Sequence, residues 1–256
     1  MQKGTTSVLY MPKNREKRNK QMSENNKVYF VGAGPGNPKL ITIMGRELLE
    51  RADLVVYAGS LVNPKVLDYS NGEKIDSYGL TLDEITKTMA EHVKAGKKVV
   101  RLHSGDPSLY GSVVEQMNEL EKYGIGVERV PGVSSVFASA AALNTQLTLN
   151  GVSDTLIITR PAGKTLEKDD ITELSRHNAT MAVFLGTHKI AAIMKKVEYP
   201  QDTPVAVVFH ASWDDEQVIY GTVSDIAQKL KGADSKRPAI DIIGGVEDPG
   251  TQGRYE

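Results

Sequence analysis

Four short stretches concentrate the residues that could do chemistry. In "YFVGAGPGNPKLIT", residues 29–42, the glycines Gly32, Gly34 and Gly36 and the prolines Pro35 and Pro38 follow an apolar run. Glycine has no Cβ to hold a ligand off, so such a turn lets main-chain groups approach a bound molecule closely. "HSGDPSLYGS", residues 103–112, turns on Gly105 and Pro107 and offers Asp106 as a hydrogen-bond acceptor. "VPGVSS", residues 130–135, places Ser134 and Ser135 where a helix begins, with two hydroxyls beside unpaired N–H groups. "FHASWDDE", residues 209–216, sets the single tryptophan beside three carboxylates. Taken singly, each also reads as an ordinary turn, cap or solvated hairpin. Their joint occurrence, in this order at the ends of successive strands, is specific.

The first turn is neither a dinucleotide nor a triphosphate site. Pro35 and Pro38 interrupt the place where a phosphate-binding helix would begin, the G-x-G-x-x-G spacing is wrong, and no Lys-Ser or Lys-Thr follows the last glycine. A tight turn with no ligand stays open at this stage. The absence of cysteine removes disulfides, thiolate metal sites and cysteine nucleophiles together. The five histidines, His92, His103, His177, His188 and His210, lack metal-ligand spacing, so no metal bound by the protein itself is expected.

The elements that must position these loops follow from the hydrophobic pattern. The 256 residues, 40% hydrophobic and 25% charged, allow one large domain or two modest ones. No apolar run approaches the roughly 18 residues of a membrane helix and no secretory signal is visible, so a soluble, cytoplasmic protein is expected. Residues 1–26 are polar and without apolar periodicity, which predicts a disordered basic extension. Residues 1–21 carry six Lys or Arg against one Glu, leaving 25 basic and 31 acidic side chains in the rest. A body with that balance is a poor general nucleic-acid binder. From Lys27, strands read at "KVYFVGAG", "DLVVYAG", "KKVVRLHSG" and "VERV". Helices read at "LITIMGRELLERA", "LDEITKTMAEHVKAG", "YGSVVEQMNELEKYG" and "SSVFASAAALN". This alternation predicts an α/β domain over 27–148 with a largely parallel sheet, its glycine-rich loops along the carboxyl edge. After "TQLTLNGVSD" come five strands, "TLIITR", "TMAVFLG", "TPVAVVFHA", "QVIYGTV" and "PAIDIIGG", forming a second α/β domain over 154–249 with a hairpin across "HASWDDEQ".

With those loops placed, the chain resembles the tetrapyrrole (corrin/porphyrin) methyltransferases that use S-adenosylmethionine. "VGAGPGNP" is similar to the family's opening V-G-x-G-P-G-D-P, with Asn37 in place of the usual Asp; "SGDPSLYG" resembles its G-G-D-P loop and "PGVSS" its third block. "YAGSLV", "RLHSGDPSLYGS" and "LIITRPAGKT" resemble the branch that methylates carbon 11 of precorrin-4 in corrin (vitamin B12) synthesis. The likeness runs from Lys27 to about Pro249. The Thr-Pro-Ile-Gly-Asn opening of the ribosomal-RNA branch is absent.

The resemblance implies a cleft between the two α/β domains that holds S-adenosylmethionine. Position by position, Pro35 would close the opening turn on the cofactor, and Ser104, Gly105, Asp106 and Leu109 would line it. Ser134 and Ser135 would donate to it, Leu185 would pack on the adenine, and Ala211 would contact it through backbone. A zwitterionic ligand of this kind calls for N–H groups and hydroxyls for its carboxylate and an apolar slot for its base. Methyl transfer to an electron-rich carbon needs placement more than a nucleophile. A general base could remove a macrocycle proton, with His103, Asp106 and Tyr110 as candidates and no choice among them. The many carboxylates of a tetrapyrrole substrate call for cations at the trough rim, and Arg101, Arg160 and Lys164 are the candidates. The family's habit implies a homodimer. Rival readings are a methyltransferase of the same fold with another acceptor, such as diphthine or RNA, and a non-catalytic nucleotide-binding module.

Overall fold

The structure, a computed structural model, describes residues 26–163, 166–234 and 237–246. The expected basic extension lies outside the described residues except for Asn26, and so does Lys164. The first sheet contains β1 (Lys27–Gly32), β2 (Leu54–Tyr57), β3 (Glu73–Asp76), β4 (Val99–His103) and β5 (Gly126–Val130). They run parallel in the order β3-β2-β4-β1-β5. Both faces of such a sheet are covered, so its central strands are apolar without alternation. On one side Val28, Phe30, Leu54 and Val99 pack with Met89 and Leu120. On the other Val31, Val55, Val100 and Leu102 pack with Leu49.

Leu49 belongs to the helix Ile43–Glu50, which follows β1, and Leu120 to the helix Val113–Lys122, which follows β4. Neighbouring strands β1 and β4 therefore send their helices to opposite faces. That opens a crevice at their carboxyl ends, where open α/β sheets take ligands. The long helix Leu82–Lys94 lies where the periodicity predicts it. Thr81 and Glu84 form a reciprocal capping box at its start, and Gly96 closes it with a left-handed φ of 78°.

The second sheet contains β6 (Leu156–Thr159), β7 (Thr180–Phe184), β8 (Pro204–Phe209), β9 (Gln217–Thr222) and β10 (Ala239–Ile243), in the order β6-β7-β10-β8-β9. Only β6 and β7 pair in parallel; β8 and β9 form the hairpin expected across residues 210–216. The two units, each an α/β layer, meet through the helix Ser135–Ala142. It follows the last strand of the first sheet, yet Val136 and Ala138 pack with Ala182, Ala206, Val208 and Ile242 of the second. Its small side chains permit that close approach.

Candidate functional site

The loops after β1, β4 and β5 meet backbone to backbone. Ala33 N–H donates to His103 O at 2.7 Å, and Gly34 and Gly105 exchange N–H···O=C bonds of 3.2 and 2.8 Å. A Cβ on Gly32 would lie 2.6 Å from Gly105 O, and one on Gly132 would lie 2.2 Å from the same oxygen. No side chain fits there, so glycine at 32 and 132 is a packing requirement. Asp106 staples the assembly: its carboxylate accepts Gly132 N–H at 2.8 Å and Ser108 N–H at 2.7 Å. Partial burial raises its pKa, but those N–H donors and Arg129 outweigh it, and the carboxyl is held below its ordinary value.

These loops form one wall of a cavity of about 370 Å³, and the second sheet forms the other. The volume is within the range of small-molecule sites. All nine residues expected to hold the cofactor stand on its wall: Pro35, Ser104, Gly105, Asp106 and Leu109, then Ser134, Ser135, Leu185 and Ala211. Ser134 caps the helix Ser135–Ala142, accepting Val136 N–H at 3.3 Å, so its hydroxyl hydrogen remains available to a ligand. Leu185 is 55% exposed with φ of 55°, presenting an apolar platform in a backbone region that leucine rarely enters. The donor set therefore fits S-adenosylmethionine: serine hydroxyls, the end of a helix and a glycine turn on one side, leucine and alanine on the other.

The three candidate bases also reach the cavity, in different states. His103 is buried against Phe30, its ring centroid 5.3 Å away, and its Nε2 has no hydrogen-bond partner among the described residues. Burial, and then the charge of Arg101, push its pKa down to about 3, with Asp106 opposing weakly. Tyr110 packs edge-on to Phe184 at 5.2 Å, and burial raises its pKa against the opposing Arg160. Of the expected substrate cations, Arg101 is not at a rim. It is buried on β4, donating to Gln116 Oε1 at 3.0 Å and to Ser77 Oγ at 3.1 Å. Burial lowers its pKa to about 10, with Asp76 opposing. Arg160 stands 5.3 Å over the Tyr110 ring.

Sequence reasoning left several wall residues without a role. Trp213 reaches across from the β8–β9 hairpin, and its indole N–H donates to Pro35 O at 2.9 Å. Ser212 Oγ accepts Asn37 N–H at 3.0 Å, and Lys65 pairs with Asp214. Three consecutive hairpin residues thus grip the first unit beside the cavity. Arg237 and His210 line the wall nearby. The presence of the lone tryptophan in "FHASWDDE" was a signal, but nothing in the sequence pairs it with a carbonyl 178 positions away.

Known proteins give this geometry its context. Residues 27–227 match the family described as Tetrapyrrole (Corrin/Porphyrin) Methylases. A cobalt-precorrin-4 C(11)-methyltransferase of Methanocaldococcus jannaschii is 52% identical over 235 residues, covering 89% of this chain and 91% of that protein. The X-ray structure of the cobalamin biosynthetic enzyme cobalt precorrin-4 methyltransferase, CbiF, superposes with a TM-score of 0.83 at 39% identity, covering 88% of this chain and 97% of that one. A uroporphyrin-III C-methyltransferase from Thermus thermophilus, solved with S-adenosyl homocysteine, gives a TM-score of 0.75 at 31% identity over 86% of this chain and 98% of that one. By its opening turn, its two five-stranded sheets and this match over most of its length, the chain belongs to the tetrapyrrole (corrin/porphyrin) methylases.

Proposed function

We propose that the protein transfers a methyl group from S-adenosylmethionine to carbon 11 of precorrin-4, in its cobalt-carrying form, within cobalamin synthesis. The observation that carries this reading is the cavity between the two sheets, walled by all nine family-matched cofactor positions. The names of the M. jannaschii relative and of CbiF favour this acceptor and its cobalt. When bound, the cofactor supplies a methyl group on a sulfonium, which needs no acid to leave. Ser134, Ser135 and the Gly105 turn would hold its carboxylate end, Leu185 and Ala211 its base, and Pro35 would close the first turn on it. Asp106 keeps the three loops in register. Fixing donor and acceptor in line can supply roughly 7–11 kcal/mol of the barrier reduction.

Arg101, buried in the cavity wall and hydrogen-bonded only to the neutral Gln116 and Ser77 among the described residues, is suited to a substrate carboxylate, with Arg160 beside Tyr110 as a second cation. The two units are read as 27–148 and 154–249, and the working form as a cytoplasmic homodimer without nucleic-acid or membrane partners. No helix among the described residues is long and apolar enough to cross a membrane. The test is mass spectrometry of protein incubated with isotope-labelled S-adenosylmethionine and precorrin-4, with and without cobalt. One labelled methyl on carbon 11 supports the reading; labelling only of earlier tetrapyrroles, or of none, overturns it.

A further inference from the structure

Methylating a neutral macrocycle leaves a proton to be shed. The electron pair of the acceptor carbon forms the new C–CH₃ bond as the S–CH₃ bond breaks, and the pair of that broken bond stays on sulfur as a neutral thioether. The positive charge, now on the macrocycle, is discharged when one of its N–H or C–H bonds breaks and leaves its pair behind. A proton acceptor positioned at the cavity wall would speed that step.

The three groups named for this task are poorly suited. Protonating His103 would put a second cation beside buried Arg101 in a site where burial already disfavours charge. Both carboxylate oxygens of Asp106 are engaged by main-chain N–H groups. Tyr110 is a neutral donor, its pKa raised further by partial burial against the opposing Arg160. His188 is exposed and has no carboxylate partner among the described residues.

His210 differs from all of these. Its Nδ1 lies 3.0 and 3.1 Å from the two carboxylate oxygens of Asp215. Arg237 fixes that carboxylate, donating to Asp215 Oδ2 at 2.8 Å and to its carbonyl at 2.7 Å. Arg237 also approaches Nδ1 to 3.4 Å, but the nearer carboxylate takes the Nδ1 hydrogen. The ring stacks on Trp213 at 4.6 Å and 21°, and Trp213 is itself tied to Pro35. The other charged groups of the hairpin point elsewhere: Asp214 pairs with Lys65, and Glu216 accepts Ser212 N–H at 2.6 Å. With Nδ1 committed as donor, the neutral ring presents an Nε2 lone pair that has no partner among the described residues. Asp215 stands ready to stabilise the imidazolium.

We propose that His210, oriented by Asp215, takes the proton that the macrocycle sheds on methylation. This rests on the function proposed above. The proton passes to Nε2 and from there to solvent.

The test is His210→Asn. The shorter amide keeps a donor for Asp215, and asparagine tolerates the left-handed φ of 49° at this position better than most residues do. Turnover of cobalt-precorrin-4 by the unaltered protein is measured first; its absence sinks the function and this inference together. Given turnover, kcat in His210→Asn falls about 100-fold or more, the scale of a lost general base. Affinity for S-adenosylhomocysteine by calorimetry stays within about twofold, because the lost interaction belongs to the chemical step and not to cofactor binding. An undiminished kcat overturns the inference alone, and so does a loss of kcat matched by an equal loss of affinity, which marks a structural role.

Discussion

Gly36→Ala probes the grip between the two units. A Cβ on Gly36 would lie 2.0 Å from Trp213 Cδ1 and 2.2 Å from its Nε1, so the indole must swing away. Its hydrogen bond to Pro35 O is then lost, along with its stack on His210. A hydrogen bond is worth about 0.5–1.5 kcal/mol and an aromatic pair a similar amount, so the loss is about 1–3 kcal/mol in total. For a chain of this size that lowers Tm by roughly 2–12 °C. Gly36 itself lies outside the positive-φ region, so alanine alone does not strain the backbone. In a Trp213→Ala background the same substitution should be neutral, or stabilising by about 0.4–1 kcal/mol through the unfolded chain. Thermal melts of the four proteins close a double-mutant cycle. In the single variant, the emission of the one tryptophan, Trp213, also shifts red as the indole meets water. Equal costs of Gly36→Ala in both backgrounds would refute the reasoning.

Two further substitutions separate holding from chemistry. Asp106→Asn turns one acceptor into a donor facing Gly132 or Ser108 N–H, at a cost of about 1–3 kcal/mol. KM for S-adenosylmethionine should rise roughly 5–100-fold with kcat less affected; steady-state kinetics showing a lost kcat at unchanged KM would instead make Asp106 a proton carrier. Asp241 is fully buried on β10, and burial raises its pKa to about 7 against the opposing hydroxyl of Thr187, which donates to it at 2.7 Å. Because the folded state holds this proton more tightly than the unfolded chain, its contribution is present in acid and lost as pH rises through about 7. Denaturant unfolding of Asp241→Asn should lack that decline and show the variant more stable than the parent at pH 8; a parallel pH dependence in both would contradict it.

What could be read from the sequence divides along physical lines. The central strands were legible because a doubly covered sheet demands unbroken apolar runs, as in "KVYFVG" and "PVAVVF". The edge strand β3, "EKID", was not, since its polar residues face solvent and have low strand preference. The short helix Pro64–Leu67 was likewise hidden within a loop. Cavity-wall positions such as Ser104, Gly105 and Ser134 were legible because they lie within a few residues of strand ends, where glycine and serine have local reasons to be. Arg101 was misplaced at a rim because strand register alone does not say that Ser77 and Gln116 will enclose its side chain. The partnership of His210 with Asp215 was within reach as a five-residue separation in a predicted hairpin, but that of Trp213 with Pro35 was not.

The backbone itself marks the site independently of any likeness. Of the seven non-glycine residues with positive φ among the described residues, Asn144 and Asn178 do not line the cavity. The other five, Tyr110, Ser112, Leu185, His210 and Ser212, lie on three loops around one cavity, and Tyr110, Leu185 and His210 stand on its wall. Each such conformation costs on the order of 1–3 kcal/mol and persists only where surrounding structure dictates it. Here the dictating structure is the pair of sheets, whose ends anchor the loops through β4, β7 and β8. Turning leucine, tyrosine and histidine inward through a left-handed residue aims a side chain at the cavity where a regular strand end would carry it past. The strain is therefore concentrated in residues that present side chains to the cavity, and glycine in those that must bring main chain to main chain.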